Sequence, residues 1–247
     1  MTKALLLIWA ILIVHPARAE TAPSVDQFVE IALGQEYAAE RTHLRRWLLP
    51  IRIEIHQETL LPGPVIKLID ELLALLTSAT GHAIDRVSTD GNVQLYFVTS
   101  RDAQRRWREV AVGEFPADAL CAAQIETSRT GEITNAVVLI PSDRASQQGR
   151  LLSCIVEELT QITGLANDSD LVFPSIFNDR STNQMVTPMD WLMLRALYDQ
   201  SLQPGMVEAE VRPVVQQILS QLVTMGELER AKSRIKKSEL FELLNVN

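Results

Sequence analysis

The feature that most constrains the fold is a segment that predicts two adjoining strands, the second of them nearly all apolar. Residues 122–140 contain these strands, joined by a turn around Thr130 and Gly131. The second strand, Ala136 to Ile140, reads AVVLI, a composition typical of a strand with neighbours on both sides. A strand of this kind has to lie inside a sheet that other elements cover.

The remaining patterns predict helices and strands that do not alternate strictly. Ile51, Ile53 and Ile55 alternate with polar residues and predict a half-buried strand, and residues 93–98 predict another. The sequence predicts helices over residues 24–32, 65–77, 148–163 and 187–199, and another that begins at about Arg101. The predicted fold class is therefore α+β, a small mixed sheet with helices packed against it.

The N-terminus has the pattern of a cleaved export signal. Lys3 precedes an apolar run from Ala4 to Val14, and Pro16 and a small-x-small triplet ending at Ala19 follow. The run of about 11 residues is shorter than the roughly 20 that a membrane-spanning helix needs, and no later run reaches that length. We expect residues 1–19 to be removed and the protein to be exported, periplasmic or extracellular, and not an integral membrane protein. A retained anchor helix is the alternative.

The charge of the chain argues against nucleic acid as a partner. The formal net charge is −8, and loss of Lys3 and Arg18 with the signal changes it to −10. An acidic protein repels both nucleic acid and anionic lipid. We therefore expect no nucleic-acid partner.

The two cysteines, Cys121 and Cys154, predict a disulfide. In an oxidising compartment an even number of cysteines is typical of paired thiols. The bond would close a loop of about 33 residues and stabilise the fold by about 2–4 kcal/mol. Two separate buried thiols are the alternative.

The candidate functional site lies on the third predicted helix and in the loop that follows it. Its polar side chains are Glu157, Glu158, Gln161, Asn167 and Asp168. Glu157 and Gln161 are four residues apart and share a helix face, and Gly164 is placed to end the helix. Converging oxygen-rich side chains can hold a hard cation or act as a general base. The residues alone leave open a polar face that simply meets solvent.

Written by spacing, this stretch is E-E-x-x-Q-x-x-G-x-x-N-D. It resembles the H-E-x-x-H-x-x-G-x-x-H/D helix of the metzincin zinc peptidases. The resemblance places Glu158 at the catalytic glutamate and Gly164 at the glycine that ends the helix. The three zinc-ligand positions fall, in order, on Glu157, Gln161 and either Asn167 or Asp168.

The flanking segments extend this resemblance. Metzincins also have an edge strand and a central strand before the helix, and a turn of the type S-I-M after it. Here the turn reads Ser175-Ile176-Phe177, without the methionine. Their closing helix is matched in order by four residues: Thr187, Asp190, Leu197 and Tyr198.

A closer resemblance is to a family of secreted bacterial proteins known as domain-of-unknown-function family 2927. The stretches E-E-L-T-Q, G-L-x-N-D, S-I-F-N-D, L-Y-D and P-G-M carry it. The two resemblances together imply a zincin-like (metzincin-like) domain over residues 47–206, after an N-terminal helix within 20–46. Residues 207–247 are predicted to form a C-terminal helical extension that packs on the domain.

The departures from the metzincin pattern direct the functional prediction. Zinc prefers imidazole or thiolate ligands, and the carbonyl groups of Gln161 and Asn167 are neutral and poor substitutes. We therefore expect no metal and no cofactor. The leading hypothesis is an exported pseudoenzyme that binds a peptide, a glycan or an envelope protein. The alternative is a hydrolase or peptidase with a rebuilt carboxylate-based site, in which Glu158 is the general base.

Overall fold

The computed structural model describes residues 21–34, 43–178, 180–181 and 184–245, so the predicted export signal lies outside the described residues. Within these ranges the strands are β1 (Ile51–Gln57), β2 (Ile84–Val87), β3 (Val93–Val98), β4 (Ala122–Thr127) and β5 (Ile133–Pro141). The helices are α1 (Val25–Leu33), α2 (Val65–Thr80), α3 (Ala103–Val110), α4 (Ser142–Gln147), α5 (Leu151–Gln161), α6 (Pro188–Leu197), α7 (Glu208–Thr224), α8 (Glu227–Lys236) and α9 (Glu239–Asn245).

The five strands form one mixed sheet in the order β2-β1-β3-β5-β4. Three neighbouring pairs are parallel, and the edge strand β4 runs antiparallel to β5. The predicted α+β class and mixed sheet are confirmed. Strand β5 has a hydrogen-bonded neighbour on each side, as its apolar composition predicts.

Both faces of β5 are covered, which explains why its sequence does not alternate with polar residues. Val138 and Ile140 belong to the main core, whereas Leu139 points to a smaller cluster on the other face that contains Trp107 of α3. Successive side chains of a strand point to opposite faces, so an apolar run is the expected result of burial on both.

The main core also joins both ends of the described chain to the sheet. Phe28 of α1, Val215 of α7 and Leu240 of α9 lie in the same cluster as Ile53 of β1, and all four are buried. Buried residues of the C-terminal helices α7, α8 and α9 thus belong to the same core as the sheet. Among the described residues, no helix is both long enough and apolar enough to cross a bilayer.

The predicted disulfide between Cys121 and Cys154 is confirmed. The two Cα atoms are 5.9 Å apart, and the bond joins the residue before β4 to the first turn of α5. The free-thiol alternative is therefore wrong. The bond attaches the candidate-site helix covalently to the edge of the sheet.

Two elements differ from the sequence-based expectation. Strand β2 was not predicted, because it has only four residues and its charged side chains Asp85 and Arg86 are exposed. The helix predicted over 148–163 is shorter, and the separate helix α4 precedes it. Gly149 between them has a φ of +66°, which a continuous helix does not allow.

Candidate functional site

Helix α5 is buried on nearly every side. It contacts α2, α4 and the strands β4 and β5, and only Leu152 and Glu157 along it are partly exposed. Glu158 and Gln161 are 3% and 4% exposed. The interpretation of a polar face that meets solvent is therefore wrong for these two residues, although they are of a type that is rarely buried without a partner.

Gln161 and Asp168 are brought together by the turn that ends the helix. The side-chain amide Nε2 of Gln161 donates a hydrogen bond to Oδ1 of Asp168 at 3.0 Å. This bond compensates the cost of burying the Gln161 amide and holds the start of the following loop against α5.

The side chain of Asn167 makes a contact with a different part of the molecule, helix α1. It is 8% exposed, and its Nδ2 atom donates to the main-chain carbonyl of Glu30 in α1 at 3.0 Å. The adjacent Gly34 carbonyl accepts from the buried guanidinium of Arg45 at 2.5 Å. Asn167, one of the two candidates for the third ligand position, thus holds the N-terminal helix in place, a contact that the helix spacing alone did not indicate.

Helix α5 ends at Gln161 with Ile162 as its C-cap, and the predicted glycine, Gly164, lies in the turn that follows. Gly164 has a φ of +120°, and a Cβ atom at this position would lie 2.3 Å from the main-chain oxygen of Arg45. The last carbonyl groups of the helix are free of helical partners by geometry. Two aromatic side chains satisfy the carbonyl groups just beyond the helix: Trp47 donates to Ile162 at 2.7 Å and Tyr198 to Thr163 at 2.9 Å.

The turn at Ser175 is attached to α6 through a fully buried carboxylate. Asp190 accepts from the hydroxyl of Ser175 at 2.5 Å and from the backbone N–H of Ile176 at 3.0 Å. It also accepts from the backbone and the hydroxyl of Thr187 at 2.8 and 2.9 Å, which caps the helix. Burial raises the pKa of Asp190 to about 6, while these hydrogen bonds act in the opposite direction.

The residues at the three ligand positions do not fit zinc. In the part of the chain that the structure describes, no group of three or more His, Cys, Asp or Glu side chains could hold a metal ion. The side-chain amide groups of Gln161 and Asn167 are oriented to donate to Asp168 and to Glu30. An amide donates through nitrogen and offers only a neutral oxygen, which is a poor zinc ligand.

Comparison with known proteins places this arrangement in a family. No curated protein matches the chain. The sequence model of a family described as "Protein of unknown function (DUF2927)" matches residues 22–217, a range that runs from before α1 into α7 and includes the whole sheet and α5. The chain therefore belongs to this family.

Proposed function

We propose that this protein is an exported, zincin-like binding domain in which the positions of a zinc site serve internal contacts. Its ligand would be a peptide, a glycan or an envelope protein. The order of elements supports the zincin-like part of the proposal. An antiparallel edge strand β4 and an interior strand β5 precede α5, and Gly164 lies in the turn that follows α5, in the order of the metzincin resemblance.

The observation that carries the proposal is the use of the side-chain amides at two ligand positions. Gln161 donates to Asp168, and Asn167 donates to the backbone of α1. Both side chains are buried, so breaking either bond to bind a metal would leave a buried polar group without its present partner. These two hydrogen bonds therefore favour a binding function over metal-assisted hydrolysis.

The burial of Glu158 favours the binding function over the hydrolase alternative. A general base has to reach the proton of a bound water molecule, and the side chain of Glu158 is 3% exposed. The hydrolase remains testable through Glu158→Gln. Hydrolysis of a peptide or glycan that this variant abolishes, while its thermal unfolding is unchanged, would establish the alternative.

The disulfide supports the exported location. Disulfides persist in oxidising compartments and are rare in a reducing cytosol. The disulfide between Cys121 and Cys154 connects the sheet to α5, and such a bond is expected in an exported protein. Detection of the protein in a cytosolic fraction, with both thiols reduced, would contradict this part of the proposal.

The loss of the zinc site can be tested in two ways: by the zinc content of the purified protein and by zinc binding to a variant with restored histidine ligands. We expect the purified protein to retain less than about 0.1 zinc per chain after dialysis, whereas a structural or catalytic zinc site retains about one. The triple variant Glu157→His, Gln161→His, Asn167→His rebuilds three imidazole ligands. If the architecture is zincin-like, it should bind one zinc per chain much more tightly than the double variant without Asn167→His, which is the matched control.

The outcomes separate the two parts of the proposal. Stoichiometric zinc in the unmodified protein would overturn the loss of the metal site. A folded triple variant that binds zinc no better than the double variant would overturn the zincin-like geometry, because the third position would then not face the other two. Circular dichroism of each variant confirms that it is folded.

A further inference from the structure

A second region of the molecule has the features of a ligand site, independently of α5. A cavity of about 530 Å³ lies between the β4–β5 turn, the loop before α7 and the segment before β1. Its lining consists of nine residues: His43, Arg45, Thr127, Ser128, Arg129, Thr130, Gly131, Pro204 and Gly205. The volume is in the range of small-molecule sites, roughly 300–1,000 Å³.

The wall of the cavity is built by the close approach of two glycines. A Cβ atom on Gly131 would lie 2.4 Å from the backbone nitrogen of Gly205, and one on Gly205 would lie 2.7 Å from the carbonyl oxygen of Thr130. Both glycines have φ values between +80° and +88°, a conformation that side chains disfavour. Any larger residue at either position would move the two loops apart.

Main-chain hydrogen bonds hold the third side of the cavity. Gly205 donates to the carbonyl of Leu44 at 2.8 Å, and Leu44 donates to the carbonyl of Met206 at 2.9 Å. The turn is attached in the same way, because Ile133 donates to the carbonyl of Arg46 at 2.9 Å. The cavity is therefore a preformed part of the fold, bounded by segments that are far apart in sequence.

The charge of the lining is opposite to that of the whole chain. None of the nine lining residues is acidic, although the chain has a formal net charge of −8. Two arginines and a histidine line it. Arg45 is 4% exposed, and burial lowers its pKa to about 10, which leaves the guanidinium charged at neutral pH. Its Nη2 atom donates to the carbonyl of Gly34, so the Arg45 side chain contributes a buried positive charge and not a direct contact to a ligand.

The hydroxyl groups of the turn add a hydrogen-bond donor. The Oγ atom of Ser128 accepts from the backbone N–H groups of Thr130 and Glu132, each at 3.2 Å. Both of its lone pairs are thus used, so in its 2.8 Å contact with Thr130 it has to donate. The hydroxyl proton of Thr130 is then directed away from Ser128 and is available to a ligand.

From these features we infer that the cavity binds an anionic oxygen group, a carboxylate or a phosphate, of a small ligand. The exposed Arg129 supplies a charged contact, the buried Arg45 adds positive charge behind it, and Thr130 supplies a neutral donor. Charge-assisted hydrogen bonds from guanidinium groups are the strong contacts in sites for such anions. The preformed walls reduce the ordering cost of binding.

The test uses two probes that separate the sources of the anion, inorganic phosphate and glucuronate. Each is titrated into the purified protein while the backbone amide resonances of Thr130, Gly131 and Gly205 are followed by NMR. We expect saturable shifts at these amides with at least one probe. Shifts with phosphate alone identify a phosphate-bearing ligand, and shifts with glucuronate alone identify a carboxylate.

Variants at the turn assign the binding to the cavity. Arg129→Ala and Thr130→Val should each raise the dissociation constant of the probe that binds by about fivefold or more. This is the effect of losing one contact of about 1 kcal/mol. Arg101→Ala removes an exposed arginine just before α3 and is the matched control for charge; it should change the constant by less than about twofold.

The inference is overturned if neither probe produces saturable shifts at the three amides. It is also overturned if Arg129→Ala and Arg101→Ala weaken binding equally, because the effect would then come from net charge alone. Arg129 and Thr130 are both exposed, so these substitutions should leave the thermal midpoint unchanged.

Discussion

Asn167 and Glu30 are 137 residues apart in sequence and are joined by a hydrogen bond of 3.0 Å from the side-chain amide of Asn167 to the carbonyl of Glu30. Glu30 lies in the last turn of α1, so the bond connects the N-terminal helix to the loop that follows α5. The position that the metzincin resemblance assigns to a zinc ligand thus has a structural role in this protein.

Replacement of Asn167 by alanine should therefore loosen α1. We expect Asn167→Ala to lower the free energy of unfolding by about 0.5–1.5 kcal/mol, because the Glu30 carbonyl loses one of its two donors and keeps the backbone N–H of Gly34. Urea unfolding measures the change, and hydrogen exchange of the α1 amides should accelerate more than that of the sheet. Asn135→Ala, in the exposed first part of β5, is the control, with a loss below about 0.5 kcal/mol. Equal losses in the two variants would contradict the assigned role.

Gly164 should be far less replaceable than another glycine with positive φ. We expect Gly149→Ala to lower the free energy of unfolding by about 1–2 kcal/mol, from the strained backbone conformation alone, because no atom lies within 4 Å of its Cβ position. Gly164→Ala adds a clash with the Arg45 carbonyl, so we expect a further loss of about 1–3 kcal/mol in the free energy of unfolding. Thermal and urea unfolding of both variants test this order, and a smaller loss for Gly164→Ala would refute the close approach.

The disulfide should contribute to stability by an amount that chain entropy predicts. The double variant Cys121→Ser, Cys154→Ser should lose about 2–4 kcal/mol of unfolding free energy. The same loss should appear when the unmodified protein is reduced before urea unfolding, which serves as an independent control for the substitutions. Two titratable thiols in the oxidised native protein would disprove the bond.

Asp190 should make the stability of the protein depend on pH. Its pKa is about 6 in the folded protein, above its usual 3.8, because burial disfavours the charged form. The folded state therefore binds this proton more tightly than the unfolded state. The stabilisation is fully present below about pH 4 and is lost as the pH rises through 6, by up to about 3 kcal/mol for a shift of about two units.

The comparison with Asp190→Asn isolates this effect. The variant cannot titrate, so the stability advantage of the unmodified protein over it should shrink between pH 4 and pH 8 in urea unfolding. Asp85→Asn, at an exposed position on β2, is the control for the loss of one carboxylate. An advantage of the unmodified protein over Asp190→Asn that grows with pH would show that the four hydrogen bonds outweigh burial.

The parts of the fold that the sequence predicted are those in which local pattern and tertiary environment agree. The apolar run of β5 requires neighbours on both sides, and the structure provides β3 and β4. The helix spacing around Glu158 and the glycine at 164 predict α5 and its end. A pair of cysteines sufficed to predict the bond between Cys121 and Cys154.

The parts that were missed depend on contacts between distant residues. The edge strand β2 is formed by parallel pairing with β1, and its own residues have no apolar alternation. In the candidate site, the pairing of Gln161 with Asp168 is local, but the destination of the Asn167 amide depends on where α1 packs. Helix periodicity places side chains on a face and does not indicate what lies opposite that face.

The bond between Cys121 and Cys154 also makes a closed ring of the chain between them. The ring contains β4, β5 and α4, and the turn with Arg129 and Thr130 is one of its exposed parts. A protease that cuts once at this turn would release no fragment, because the two pieces stay joined through sulfur and through the pairing of β4 with β5. For a domain that works outside the cytoplasm, as proposed here, this connectivity would let a nicked molecule keep its sheet and its candidate-site helix together.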